Sequence, residues 1–235
     1  MSFTLVQSKT AATGTGSAGS LSVTVTSTTS GNLLVAFLDL NGVASDTITP
    51  PTGWSQVGTS QGYASGNGTV AMYYLNPSSN SGGATSFSFS FSTNANAALA
   101  FEEWSSSTGW AATVLDTFVA QQNAKSTSCT TGTTGALAGS GELGIWGVGV
   151  GATATLTYSS ITNGYVEDTG ANAHSGGATE AEATLFYNTS VGSAATSSGC
   201  TMSGTGSTGN TTILAVFKAA PAVAHGSTLA LMGVG

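Results

Sequence analysis

Apolar and polar residues alternate with a period of two along much of the chain. The most regular stretch is Ser86-Phe87-Ser88-Phe89-Ser90-Phe91, with three phenylalanines on one face and three serines on the other. Such a segment predicts a strand with one buried face. Leu21, Val23 and Val25 alternate with Ser and Thr in the same way, whereas residues 33–38 and 213–217 are apolar on both faces and predict central strands. Clusters of Gly, Asn and Ser separate these runs, at Ser30-Gly31-Asn32, Asn41-Gly42, Ser65-Gly66-Asn67-Gly68 and Ser81-Gly82-Gly83. No convincing amphipathic helix emerges, and the alternation of Ala97 to Trp104 favours a strand. Many short strands with frequent turns predict an all-β fold, a two-sheet antiparallel β-sandwich of jelly-roll type.

The pattern also echoes itself at an offset of roughly 110 to 116 residues. Asn32-Leu33-Leu34-Val35 matches Glu142-Leu143-Gly144-Ile145 loosely, and Gly53-Trp54-Ser55-Gln56-Val57 matches Gly164-Tyr165-Val166-Glu167-Asp168. Met72-Tyr73-Tyr74-Leu75 matches Leu185-Phe186-Tyr187-Asn188, and Leu99-Ala100-Phe101-Glu102 matches Leu214-Ala215-Val216-Phe217, all in the same order. Either two copies of a smaller sandwich are stacked, or one jelly roll interleaves its halves in two sheets. No Pro-rich or charged linker marks residues 105–125, so one jelly roll over residues 1–220 is the preferred expectation. After Lys218 comes Pro221, which cannot donate to a ladder, so 221–235 reads as an extended arm. The arm either folds back onto its own domain or adds a strand to a neighbouring subunit, and in the second case Pro221, Leu229, Leu231, Met232 and Val234 are the candidate assembly contacts.

Composition narrows the partners. The chain of 235 residues contains 34 Ser, 38 Thr and 33 Gly, and apolar runs interleaved among them keep it in the folded class. Only 6% of residues are charged, with three lysines, no arginine and a net charge of −7. Binding to phosphate needs clustered cations, so neither nucleic acid nor an anionic membrane is an expected partner. An acidic surface with abundant hydroxyls instead offers hydrogen bonds to neutral partners such as glycans or other protein shells. Met1-Ser2-Phe3-Thr4 opens on a strand-like segment without a basic n-region, so signal-directed export is not expected, and no apolar run is long enough for a membrane span. Cys129 and Cys200 form either a disulfide or two buried thiols on neighbouring strands.

Candidate chemistry is sparse. Glu102-Glu103 and Glu167-Asp168 are the adjacent carboxylate pairs, but strand neighbours point to opposite faces, so Glu102 and Glu103 cannot serve as a glycosidase dyad. His174, in a loop by composition, and His225, in the tail, lack metal-ligand spacing. Asp39, Asp46 and Asp168 form no regular calcium ladder, and no Gly-x-Ser-x-Gly elbow stands between a strand and a helix. No catalytic residue, metal or cofactor is therefore expected. Among the tryptophans, Trp146 is predicted buried, while Trp110 and Trp54 are the candidate ligand-stacking residues, with Trp110 the better exposed.

Val6-Gln7-Ser8, Ser30-Gly31-Asn32-Leu33-Leu34-Val35-Ala36, Pro51-Thr52-Gly53-Trp54, Ala71-Met72-Tyr73-Tyr74, Ala100-Phe101-Glu102-Glu103-Trp104-Ser105 and Ala215-Val216-Phe217-Lys218 together resemble a group of jelly-roll proteins. That group occurs among tailed-phage structural proteins and bacterial surface proteins, and the resemblance covers residues 5–218. Taken with the expectation of no signal-directed export, it implies a non-enzymatic virion protein assembled in the host cytoplasm, a capsid decoration or other surface-exposed subunit. Its partners would be other virion proteins and copies of itself. The alternatives are a carbohydrate-binding or adhesive module at an extracellular surface, with glycans as partners, and a polymerising fibre subunit. The motifs are patterns of strand and turn, so they speak to fold more than to function.

Overall fold

The computed structural model describes residues 2–221 except 43, 65, 153–154, 177–179 and 205–208. The candidate arm residues Leu229, Leu231, Met232 and Val234, and His225, lie outside the described residues. Apart from one 3₁₀ turn at Pro77–Ser79, every described element is a strand. The first half contains β1 (Phe3–Ala12), β2 (Ala18–Thr24), β3 (Leu33–Asn41), β4 (Ile48–Thr49), β5 (Trp54–Gln56), β6 (Gln61–Gly62), β7 (Gly68–Leu75) and β8 (Ser86–Ser106). The second contains β9 (Trp110–Asn123), β10 (Ser128–Thr130), β11 (Glu142–Ala152), β12 (Tyr158–Ser159), β13 (Val166–His174), β14 (Glu180–Val191), β15 (Gly199–Met202) and β16 (Asn210–Ala219).

All strand pairs are antiparallel, and the expected all-β sandwich forms. Its two principal sheets run β1-β8-β3-β7-β5 and β9-β16-β11-β14-β13. These orders are the same topology written twice. Among the described residues no ladder joins the halves, so the echo in the sequence reflects stacked copies of one unit, not interleaved halves. Each of the four echoed segments falls on equivalent strands: β3 and β11, β5 and β13, β7 and β14, β8 and β16. The missing linker is explained by the contact between the copies, which leaves no need for a spacer.

Each large sheet also has a small sheet on its outer side, β2 and β4 with the first part of β8 in one half and β10-β15-β12 in the other. The chain is therefore four layers of β structure around three apolar cores. β8 serves two layers, pairing β2 and β4 through residues 86–95 and β1 and β3 through residues 96–106. Asp46 pins the corner between them, accepting from the Ser92 hydroxyl and, at 3.4 Å, from the Thr93 N–H.

The sandwiching explains the run of residues 33–38, since every residue of β3 is buried. Leu34, Ala36 and Leu38 face the outer core, and Leu33, Val35 and Phe37 face the seam between the large sheets. Across that seam β8 stacks on β14, and β16 meets β7 less extensively. Close approach there depends on glycine. A Cβ on Gly147 would lie 2.4 Å from the Phe37 ring, and one on Gly149 would lie 2.5 Å from Val70 and 3.1 Å from the Asp39 carboxyl.

Candidate interaction surface

The two outer layers present the molecule's most regular surfaces. In β2 and the first part of β8, Leu21, Val23, Phe87, Phe89 and Phe91 turn inward, leaving Ser20, Ser22, Thr24, Ser86, Ser88 and Ser90 exposed. Register places Ser20 opposite Ser90, Ser22 opposite Ser88 and Thr24 opposite Ser86, and Thr49 of β4 continues the first row. The second outer layer repeats that row as Ser128, Thr201 and Ser159, also exposed. Neighbouring hydroxyls are spaced by about 4.8 Å between strands and about 6.7 Å along them. No charged residue occurs in β2, β4, β10, β12, β15 or the paired first part of β8. The rows thus offer donors and acceptors without a field, on opposite sides of a slab whose outermost layers stand about 30 Å apart.

The second outer face carries a groove of about 450 Å³. Its floor includes Cys129 and Cys200, which form a disulfide directly across β10 and β15 with 5.4 Å between Cα atoms. Thr130, Thr133, Thr162, Ser197 and Thr201 line it, with no aromatic among the described lining residues.

The carboxylates lie elsewhere. Glu102 and Glu103 do point to opposite faces. Glu103 turns outward and accepts from Gln7 Nε2 at 2.5 Å, Asn32 Nδ2 at 2.7 Å and the Thr29 N–H at 2.8 Å. Glu102 turns into the seam, accepts from Trp104 Nε1 at 2.7 Å and meets Asp168 of the other half. Glu102 Oε1 and Asp168 Oδ2 are both buried without a hydrogen-bond partner. Burial, and then the neighbouring Asp168 charge, holds the Glu102 carboxyl well above the ordinary range. Both are sealed between the sheets, with no opening for a sugar.

Asp39 also lies in the seam. Both its oxygens accept from the Tyr63 hydroxyl, at 2.6 and 2.8 Å, and Oδ2 accepts the N–H groups of Val150 and Glu182 at 3.1 Å. Burial nevertheless pushes its pKa up to about 7. Glu182 faces the second outer core, where Tyr158 donates at 2.7 Å and the Leu156 N–H at 2.9 Å, and burial raises it to about 7. Asp39, Asp46 and Asp168 are thus dispersed over seam, corner and edge. Among the described residues no group of three or more His, Cys, Asp or Glu gathers as a metal site.

The candidate stacking residues separate. Trp54 is 8% exposed, with ring centroids 5.2 Å from Phe87 and 5.5 Å from Phe89, so the core occupies its ring and the expectation of a ligand platform is corrected. Trp110 is half-buried at the start of β9, 5.3 Å from the Phe3 ring. His174 ends a strand instead of lying in a loop, with Nε2 2.9 Å from Glu180 Oε2. Pro221 is exposed where the described chain ends.

One constellation escapes sequence reasoning. Lys218 of β16 places Nζ 3.1 Å from Asp116 Oδ1 of β9, and Glu142 of β11 lies close enough to the same aspartate to feel its charge. The one sequence signal is a lone lysine closing the apolar run of β16; its partners are 102 and 76 positions away (218 − 116 and 218 − 142). No described helix is long and apolar enough to cross a membrane. Comparison with protein-family models, curated proteins and solved structures gave no match.

Proposed function

We propose that the chain is a non-enzymatic structural protein of a tailed-phage virion, a capsid decoration or other surface-exposed subunit, that makes its contacts through the two neutral hydroxyl faces. The observation that carries this reading is the repetition of one hydroxyl row on opposite sides of a four-layer slab. A rigid body with equivalent faces front and back suits contact with two neighbours at once. Faces without charge exclude little by repulsion and hydrogen-bond to other polar β-surfaces, so copies of the chain and other shell proteins are the fitting partners. The disulfide agrees with a working life outside the reducing cytosol, on a virion or at a cell surface.

A second reading is a module for neutral glycans, favoured by the hydroxyl-lined groove beside the disulfide. The lack of an aromatic among the groove's described lining residues sets it behind the first.

Light scattering on the full chain tests the proposal, beside a chain ending at Ala220 and the double variant Ser22→Lys/Ser88→Lys. A defined oligomer that the lysines dissociate is the expected result. Loss of the oligomer on truncation alone would assign the contact to the arm instead. A full chain that stays monomeric overturns self-contact through these faces, and titration with neutral oligosaccharides then decides the second reading.

A further inference from the structure

Three adjacent strands of the second large sheet, in the order β11-β16-β9, bring Glu142, Lys218 and Asp116 to one corner. The ladder is distorted to do so. Phe217 pairs with Leu115 and Ala219 with Trp110, and the register shifts on both sides of Phe217 leave Lys218 free to turn onto Asp116. The Asp116 side chain is 9% exposed and that of Lys218 25%. Glu142 is buried, and the groove above, about 470 Å³, is walled by Ala111, Ala138, Ala219 and Pro221. The Ala138 N–H donates to Asp116 Oδ2 at 2.7 Å, leaving Oδ1 to the lysine.

The equivalent corner of the first half supplies an internal comparison. There Glu103 of β8 takes the place of Lys218, with Gln7 of β1 and Asn32, the residue before β3, around it, and the β1 ladder is likewise shifted between Leu5 and Gln7. The fold therefore builds a polar triad across three strands twice. In the first copy two amides surround an acid, which only hydrogen-bonds. In the second two acids surround an amine.

We propose that Asp116 and Lys218 join in an intramolecular isopeptide bond, with Glu142 as the proton-transfer group. One proton passes from the Lys218 ammonium to the Asp116 carboxylate, turning the ion pair into amine and acid. The free amine attacks Cγ, and Oδ2 takes up negative charge against the Ala138 N–H. Glu142 accepts a proton from the attacking nitrogen and returns one to Oδ1, which leaves as water. One C–N bond forms, one C–O bond breaks, Glu142 is regenerated, and no oxidant or co-reactant is consumed. Glu142 is suited to this exchange because burial, and then the Asp116 charge, pushes it up to about 7. The bond would tie the last strand of the sheet to β9, three residues before Pro221. It does not depend on the virion reading.

Intact-mass spectrometry of the purified full chain is the test. The wild type is expected one water lighter than its disulfide-bonded sequence mass, with a branched Asp116–Lys218 peptide after digestion. Lys218→Arg and Glu142→Ala should show the full mass, with circular dichroism verifying that each variant retains its β structure. Asp116→Asn should lose ammonia and arrive at the same mass as the linked wild type, which keeps the test decisive if Glu142→Ala fails to fold. A wild-type chain at full mass overturns the proposal, and so does a Lys218→Arg chain that still lacks one water.

Discussion

Replacing Gly147 by alanine probes whether the halves are held by complementary packing at the seam. A Cβ at this position would stand 2.4, 2.5 and 2.6 Å from Cδ2, Cγ and Cε2 of Phe37. Phe37 Cγ is one bond from its own Cβ, so the ring cannot swing aside without moving β3, which is buried along its whole length. Alanine in an unstrained strand would gain about 0.4–1 kcal/mol from the unfolded chain. Overpacking of a filled core costs about 1–3 kcal/mol, and distances this short belong at the upper end. The expected net loss is about 2 kcal/mol, or about 4–8 °C in Tm for a chain of this size. Phe37→Leu alone opens space and costs about 1 kcal/mol. The double variant should be less destabilised than the sum by about 1–2 kcal/mol. Urea unfolding followed by tryptophan fluorescence, with calorimetry for Tm, gives all four corners of the cycle. A neutral Gly147→Ala, or strict additivity with Phe37→Leu, would refute the packing account.

Two further outcomes are expected. The Cys129–Cys200 bond closes a separation of 71 residues, so Cys129→Ala/Cys200→Ala should lose about 4 kcal/mol in the chain-entropy account. Denaturant unfolding with and without reductant checks this; an unchanged midpoint would show that the bond constrains little. Asp39 rises from its ordinary 3.8 to about 7 in the folded chain, so between those values the native state holds the extra proton. Stability should therefore fall as pH rises from about 4 to about 7, by up to ~1.4 kcal/mol per unit from this group. Asp39→Asn should flatten that part of the Tm profile, and an unaltered slope would assign the effect to other carboxyls, Glu182 first.

The sequence by itself determined the strands and their faces, because alternation at period two is a local property that survives any packing partner. Ser86 to Phe91, the doubly apolar run at 33–38 and the opposed directions of Glu102 and Glu103 were all legible on that basis. So was the order of the four echoed segments. What alternation does not encode is which face meets which, and this is where tertiary structure decided. The stacking of two copies through their large sheets rests on Phe37 over Gly147 and on Asp39 beside Gly149, positions whose sequence reads only as glycine in an apolar strand. The same stacking brought Glu102 to Asp168, dispersed the aspartates and buried Trp54. Likewise, Asp116, Glu142 and Lys218 meet only because β11, β16 and β9 are neighbours in space. Contacts between residues so far apart along the chain arise from sheet order and layer packing, which depend on the whole core and not on any local pattern.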